Sequence, residues 1–348
     1  MAGGVMVAGA SGFLPRSILV TGGAGQLATA LQGEGGAAVR RVGRPEFDFD
    51  RPETLAAVFA AARPALLVNA AAWTAVDAAE ADPDAAGRAN RDGPAMLAAL
   101  CADAGIPMIH VSTDYVFDGL KGAPYVETDP TSPTGVYGRT KLEGEQAVLA
   151  ACPRAVVLRT SWVYSAVGKN FVRTMLGAAL KVPRLRVVGD QRGCPTAARD
   201  LAVAILAIAP QVAGAGPGRL ATRGADGSGI MASDEYGTGV RDGHGRRGQD
   251  GSGTQVPDRY GIFHACGTGD TTWHGLALSV FEAAARHGHP VPAVDAITTA
   301  EWPTPARRPP DSRLECGKLA ATFGVRLPDW RTSLARTVDE LLAPAPAG

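Results

Sequence analysis

The chain reads as an α/β protein with a doubly wound parallel sheet and a smaller C-terminal α/β lobe. Three observations predict this. Short apolar runs recur at Ile18–Val20, Ala65–Val68, Met108–Val111 and Ala155–Leu158. Alanine- and leucine-rich stretches such as 53–62 and 94–104 lie between them. The polar clusters Thr21–Gln26, Asn69–Asp77, Ser112–Asp118 and Arg159–Tyr164 follow directly on the runs. Strands buried on both faces and separated by helices make a parallel sheet, and such a sheet binds ligands beyond the carboxyl ends of its strands. With 348 residues the chain can bury a sizeable core, and two unequal lobes are expected.

Residues 5–14 imitate a phosphate-binding turn at Gly9 and Gly12, but Pro15 and the strand behind it leave no room for a crossover helix. Residues 1–16 are therefore predicted to be an N-terminal extension or a misassigned start. The second copy has the right context: the Ile18–Val20 strand, then Gly22, Gly23 and Gly25, then the helical stretch Leu27–Leu31. The glycines permit a tight turn and close backbone approach, while the helix N-terminus offers N–H donors and a favourable dipole to a pyrophosphate. Ala28 takes the third glycine position and is small enough for close helix–strand packing. About 20 residues past the glycines, where an NAD binder carries an acid, the sequence reads Val-Arg-Arg-Val-Gly-Arg over 39–44. Arg44 suits the 2′-phosphate of NADP, the alternative being a solvated basic strand end. NADPH is thus favoured, with NADH as the second choice, and Asp48 and Phe49 are placed to flank the adenine.

Further on, Val-Ser-Thr-Asp-Tyr-Val-Phe at 111–117 precedes Tyr-Gly-Arg-Thr-Lys at 137–141. On a helix the i, i+4 spacing puts Tyr137 and Lys141 on one face, where the ammonium favours the phenolate of a side chain whose ordinary pKa is about 10. With the Thr113 hydroxyl they form a trio suited to delivering a proton during a reduction. Tyr-x-x-x-Lys alone is common on solvated helices, so its neighbours carry the argument. Thr113 has the alternative of bonding its own backbone, and Trp162 that of an ordinary core aromatic. His110 and His264 read as hydrogen-bonded core residues, and Asp77 and Glu80 as a solvated helix face.

Lys plus Arg and Asp plus Glu both number 34, so no global field draws the chain onto nucleic acid or an acidic membrane. Cys101, Cys152, Cys194, Cys266 and Cys316 lack Cys-x-x-Cys spacing, which argues for buried reduced thiols in a cytoplasmic protein rather than a zinc site or disulfide framework. No apolar run reaches the roughly 18 residues that span a bilayer, and residues 1–14 lack the basic start of a secretory signal. Residues 212–257 are rich in Gly, Asp, Arg and Ser and are predicted to be a disordered insertion between a helix at 198–209 and a strand at 260–265. Helical spacing resumes at 273–287, and a Pro-rich segment at 302–310 precedes two short terminal helices.

Six strings together carry a resemblance. They are Asn-Ala-Ala-Ala-Trp-Thr-Ala-Val-Asp at 69–77, Val-Ser-Thr-Asp-Tyr-Val-Phe-Asp-Gly at 111–119, Tyr-Gly-Arg-Thr-Lys at 137–141, Arg-Thr-Ser-Trp-Val-Tyr at 159–164, Asp-Gln-Arg-Gly-Cys-Pro-Thr at 190–196, and Thr-Pro-Ala-Arg-Arg-Pro-Pro-Asp-Ser-Arg-Leu at 304–314. In this order the chain resembles the dTDP-4-dehydrorhamnose reductase family of extended short-chain dehydrogenases/reductases, over essentially 18–340 without the insertion. The resemblance implies NADPH- or NADH-dependent reduction of the 4-keto group of dTDP-4-dehydro-β-L-rhamnose to dTDP-L-rhamnose, a donor for surface polysaccharide. By the family pattern Gly25, Gln26 and Leu27 meet the dinucleotide phosphates, and Ala71, Ala72, Trp73 and Thr74 line the nucleotide cleft. Thr113 and Asp114 adjoin the sugar, Trp162 packs against it, and Arg308, Ser312 and Arg313 face the nucleotide half of the substrate. Many members carry an acid where Gly43 or Arg44 falls. A homodimer is compatible with the family, but no carboxylate cluster marks the magnesium ion that some members hold at a dimer contact, so no metal is predicted.

The expected domains are an extension at 1–16 and a Rossmann-type NAD(P)-binding domain at 17–160, completed by parts of 186–210 and 258–268. A substrate-binding lobe is expected from 161–185 and 269–345, with the insertion at 212–257. Two other functions share these features: a noncatalytic dinucleotide-binding regulatory subunit, as in methionine adenosyltransferase, and a reductase of another dTDP-4-keto-6-deoxyhexose.

Overall fold

A computed structural model describes residues 6–7, 14–15, 17–214 and 259–343. Its centre is a parallel sheet of six strands in the spatial order Gly261–His264, Ala155–Thr160, Met108–Thr113, Leu66–Asn69, Ile18–Thr21 and Val39–Val42. Alternate residues feed opposite faces, as the strand period of two requires. Ile18, Val20, Leu66 and Val68 pack with Leu27, Leu31, Leu201 and Ile205. Leu19, Leu67 and Val157 pack on the other side with Leu55, Phe59, Leu97 and Val148. This burial holds helix Gln26–Gly35. Its interior Gly33 costs about 1 kcal/mol in propensity, whereas buried Leu27 and Leu31 contribute roughly 1.5–3 kcal/mol each.

A second core gathers Tyr164, Val172, Leu176, Leu276, Phe281 and Trp330 from helices Phe171–Ala179, Trp273–Ala285 and Trp330–Leu342. Beside it, Arg184–Val188 pairs in parallel with Ala293–Ile297.

The structure departs from the sequence reading in three places. The helix expected at 198–209 runs from Ala198 to Ala213 and buries Val212 in the main core; the rest of the predicted insertion, from 215, lies outside the described residues. Helix Gly317–Phe323, expected in the second lobe, packs on the main sheet through Leu319 and Phe323, whose ring lies 5.1 Å from that of Phe263. Met6–Val7, inside the predicted extension, pairs antiparallel with Val325–Arg326; residues 1–5 and 8–13 lie outside the described set. The cysteines are free and, Cys316 apart, buried, in agreement with the sequence reading, and three of them converge. Cys266 Sγ lies 3.4 Å from Cys316 Sγ, and Cys194 and Cys266 share the Leu314 carbonyl as acceptor.

Candidate active site

Strand Ile18–Thr21 has a later strand on each side, Val39–Val42 and Leu66–Asn69, so the chain reverses direction across the sheet at this point. Such a switch point leaves a crevice beyond the strand ends, and a cleft of about 810 Å³ opens there. Its first wall is the glycine turn. Gly22 and Gly23 hold φ values of +112° and +53°, and a β-carbon on Gly22 would fall 2.9 Å from the Ala70 carbonyl oxygen. Gly25 caps helix Gln26–Gly35 with no side-chain hydrogen bond and no acid in the first turn. The helix dipole and N–H groups therefore lack an internal anion where Gly25, Gln26 and Leu27 line the cleft. A dinucleotide pyrophosphate fits this cradle.

The second wall, Ala71 to Thr74, is pinned by polar side chains. Ala71 N–H donates to both Thr21 Oγ1 and Asn69 Oδ1 at 3.2 Å. Trp73 N–H donates to buried Asn90 Oδ1 at 2.9 Å, and Asn90 Nδ2 donates to Thr140 Oγ1 at 3.1 Å. Asn90 sits in a π-helical turn, Arg88–Asp92, and ties the cleft loop to the helix carrying Tyr137. At the adenine end Phe49 lines the cleft and Asp48 does not. Asp48 instead accepts from Arg44 Nε at 2.9 Å, while a second Arg44 N–H reaches Asp50 at 2.9 Å. Arg44 thus reaches the cleft with its charge already paired.

Helix Val136–Ala151 brings Tyr137 and Lys141 to the floor, beside Thr113 at the end of its strand. Two glycines let the helix sit so close. A β-carbon on Gly138 would fall 2.2 Å from the Tyr115 carbonyl oxygen, and one on Gly144 2.0 Å from that of Asn90. Glu80 accepts from Val136 N–H at 2.7 Å and anchors the helix start. Asp77 pairs with Arg308 through two hydrogen bonds of 2.8 and 2.7 Å. Neither acid belongs to the solvated face expected of them: both clamp segments distant in the chain. Ser112 and Thr160 also line the floor, and their buried hydroxyls have no partner among the described residues.

Electrostatics at the floor run against the expected phenolate. Burial pushes the Tyr137 phenol up to about 12, with Thr113 pulling the other way. Burial lowers the Lys141 ammonium to about 8, opposed by Glu145, and Lys141 Nζ donates to the Val111 carbonyl at 2.7 Å. Desolvation is the largest influence on the phenol and the Asp114 charge adds to it, so the phenolate that the helical spacing suggested is not favoured and Tyr137 holds its proton at neutral pH. Burial also raises Asp114 to about 6, and Ser312 and Thr113 both donate to its carboxylate. His110, buried and next to the charge of Lys141, stays well below its ordinary value. Its Nδ1 lies 3.0 Å from the Asn69 amide nitrogen, and His264 Nδ1 lies 3.1 Å from the Tyr125 carbonyl oxygen.

Of the residues expected at the sugar end, Thr113, Asp114 and Trp162 line the cleft, and Ser312 reaches it through Asp114. Arg308 and Arg313 are not among the lining residues: Arg308 is held by Asp77, and Arg313 by Asp311 at 2.8 Å. Trp273 is a lining residue the sequence did not suggest. Its ring stacks on that of Trp162 with centroids 3.6 Å apart and planes 8° from parallel.

The family model of the RmlD substrate binding domain matches residues 16–220 and 251–343. The dTDP-4-dehydrorhamnose reductase of Sinorhizobium fredii is 43% identical over 327 residues, which cover 93% of this chain and 97% of that protein. The chain belongs to this reductase family. A crystal structure of a dTDP-4-dehydrorhamnose reductase from Clostridium acetobutylicum superposes with a TM-score of 0.76 at 31% identity, covering 93% of this chain and 99% of that one. The enzyme of the same name from Bacillus anthracis, solved in complex with NADP, gives a TM-score of 0.76 at 26% identity, covering 94% of this chain and all of the other. Among the described residues of this family member, no group of three or more His, Cys, Asp or Glu side chains is set to hold a metal ion. No described helix is long and apolar enough to cross a membrane.

Proposed function

We propose that the protein reduces the 4-keto group of dTDP-4-dehydro-β-L-rhamnose to give dTDP-L-rhamnose, with NADPH preferred and NADH as second cofactor. NADPH, when bound, supplies the hydride. The observation that carries the reading is the meeting, in one cleft, of the glycine cradle and of Tyr137, Lys141 and Thr113. Gly22, Gly25, Gln26 and Leu27 hold the pyrophosphate, and Phe49 with the Ala71–Thr74 loop encloses the nucleoside. Arg44 turns from Asp48 and Asp50 toward the 2′-phosphate. Tyr137, protonated at neutral pH, donates its phenolic proton to the alkoxide oxygen formed at C4, while Thr113 hydrogen-bonds that oxygen or the phenol. Lys141 holds the nicotinamide ribose. Asp114 and Ser312 orient the sugar hydroxyls, Trp162 packs against the ring, and Arg308 and Arg313 shape the segment facing the nucleotide half. The reaction belongs to the cytoplasm, and a homodimer is compatible with the family.

The test is purified protein with dTDP-4-keto-6-deoxyglucose, the 3,5-epimerase and NADPH, followed by loss of NADPH absorbance and product identification. Formation of dTDP-L-rhamnose is expected. No oxidation of NADPH, with an active epimerase, would favour a regulatory dinucleotide-binding subunit instead. A product of different stereochemistry would move the assignment to another dTDP-4-keto-6-deoxyhexose.

A further inference from the structure

We infer that Trp273 is a positioning residue for the sugar end of the cleft, acting through Trp162; the inference rests on the functional reading above. Both indoles line the cleft, so the stacked pair, and not Trp162 alone, forms its apolar wall. Trp162 holds φ +47°, a left-handed conformation that a bulky side chain keeps only when its surroundings dictate it.

Three neighbours dictate it here. Trp273 covers one face of the indole. Gly193 gives the ring room, since a β-carbon there would fall 2.5 Å from Trp162 Cε2. Thr196 N–H donates to the Trp162 carbonyl at 3.3 Å and fixes the backbone. Trp273 is itself located by a ring contact and by the cap of its helix. Phe171 lies against it with centroids 4.8 Å apart, and Thr272, the cap of its helix, accepts from Gly275 N–H at 3.0 Å. Strand Thr271–Thr272 pairs with Arg192–Gly193, so one short antiparallel ladder places both Trp273 and the glycine under Trp162. A two-ring apolar wall suits the poorly hydroxylated face of a deoxysugar, and a tilt of Trp162 displaces that ring relative to Tyr137.

The test compares Trp273→Leu, Trp273→Phe and Gly193→Ala with the parent. Turnover with the sugar nucleotide, calorimetric affinity for dTDP-L-rhamnose, and the far-ultraviolet circular-dichroism couplet of stacked indoles are measured. Trp273→Leu is expected to abolish the couplet and to lower kcat/KM by on the order of tenfold to a hundredfold. The loss should fall on the KM of the sugar nucleotide, through the damaged wall, and on kcat, through the displaced ring, leaving the KM of NADPH unmoved. Trp273→Phe, which keeps an aromatic face, should restore most of the loss. Gly193→Ala should reproduce the defect in the parent but add little to Trp162→Phe, whose smaller ring leaves space for the new methyl.

An unchanged sugar KM and affinity in Trp273→Leu, despite loss of the couplet, would overturn the inference. So would full additivity of Trp273→Leu with Trp162→Phe, because a residue that acts through Trp162 has little left to lose once that ring is changed. A parent that binds dTDP-L-rhamnose without turning over the keto sugar would overturn the functional reading alone, with affinities still deciding the role of Trp273. A parent that neither binds nor turns over would overturn both.

Discussion

Replacing Glu80 tests how the helix that carries Tyr137 and Lys141 is held. Helix Val136–Ala151 starts at Gly135, which offers no side-chain cap, and the Glu80 carboxylate accepts from Val136 N–H at 2.7 Å. Only glycine at 135 allows that approach, because a β-carbon there would fall 2.6 Å from Glu80 Oε1. A hydrogen bond to a charged group contributes about 1.5–3 kcal/mol, and an anion at a helix N-terminus adds about 0.3–1 kcal/mol. Glu80 is half-buried, so water recovers part of this on truncation. Glu80→Ala should therefore lose about 2 kcal/mol of stability, and Glu80→Gln, which keeps an acceptor without the charge, about 1 kcal/mol. Urea unfolding at constant m reads this as a shift of the midpoint. Tyr137 is the second residue of the helix, so fraying of its first turn should also lower kcat in Glu80→Ala. Stability of Glu80→Ala within about 0.5 kcal/mol of the parent, or a glutamine variant as weak as the alanine one, would refute the anchoring argument.

Three further outcomes are expected. Asp114 is raised to about 6 against an ordinary value of about 3.9, so the folded state binds the extra proton, and its contribution to stability is present below about pH 4 and lost as pH rises through about 6. Asp114→Asn should flatten the stability profile in that window, as read by urea midpoints across pH. Gly22→Ala, which combines φ +112° with the clash at the Ala70 carbonyl, should lose NADPH binding in a fluorescence titration, whereas Gly33→Ala, on an exposed helical site with open space at its β-carbon, should bind NADPH normally and gain about 0.4–1 kcal/mol of stability. Arg44→Ala should raise the KM for NADPH about tenfold and leave that for NADH nearly unchanged, because only the 2′-phosphate competes with Asp48 and Asp50 for the guanidinium.

The four central strands were legible because they are buried almost throughout and so read as unbroken apolar runs, and the glycine turn because it sits between a strand and a helix; the edge strand Val39–Val42, with Arg40 and Arg41 exposed, carries no such run. The floor of the cleft was legible through local spacing: Tyr137 and Lys141 share a helix face whatever the rest of the chain does. What escaped depended on partners far away in sequence. Asp77 and Glu80 look like a solvated face until their partners are known, and those lie 229 and 56 residues on, at Ala306 and Val136. Asn90 is one polar residue in a helical stretch, with nothing local to show that it bridges Trp73 and Thr140. Trp273 opens a helix of ordinary apolar spacing, and only the ladder between Arg192–Gly193 and Thr271–Thr272 brings it onto Trp162. The sign of the Tyr137 shift escaped for a related reason, since helical spacing puts Lys141 on the same face but does not show the burial that governs the phenol.

Tyr137→Phe is the most direct test of the central claim. The substitution removes one oxygen and keeps the ring that packs edge-on against Tyr115, with centroids 5.4 Å apart. If Tyr137 supplies the proton to the alkoxide, kcat should fall by about 10²–10⁴ while the folded protein still binds NADPH at the parent's affinity. Near-parental turnover by correctly folded Tyr137→Phe would contradict the account.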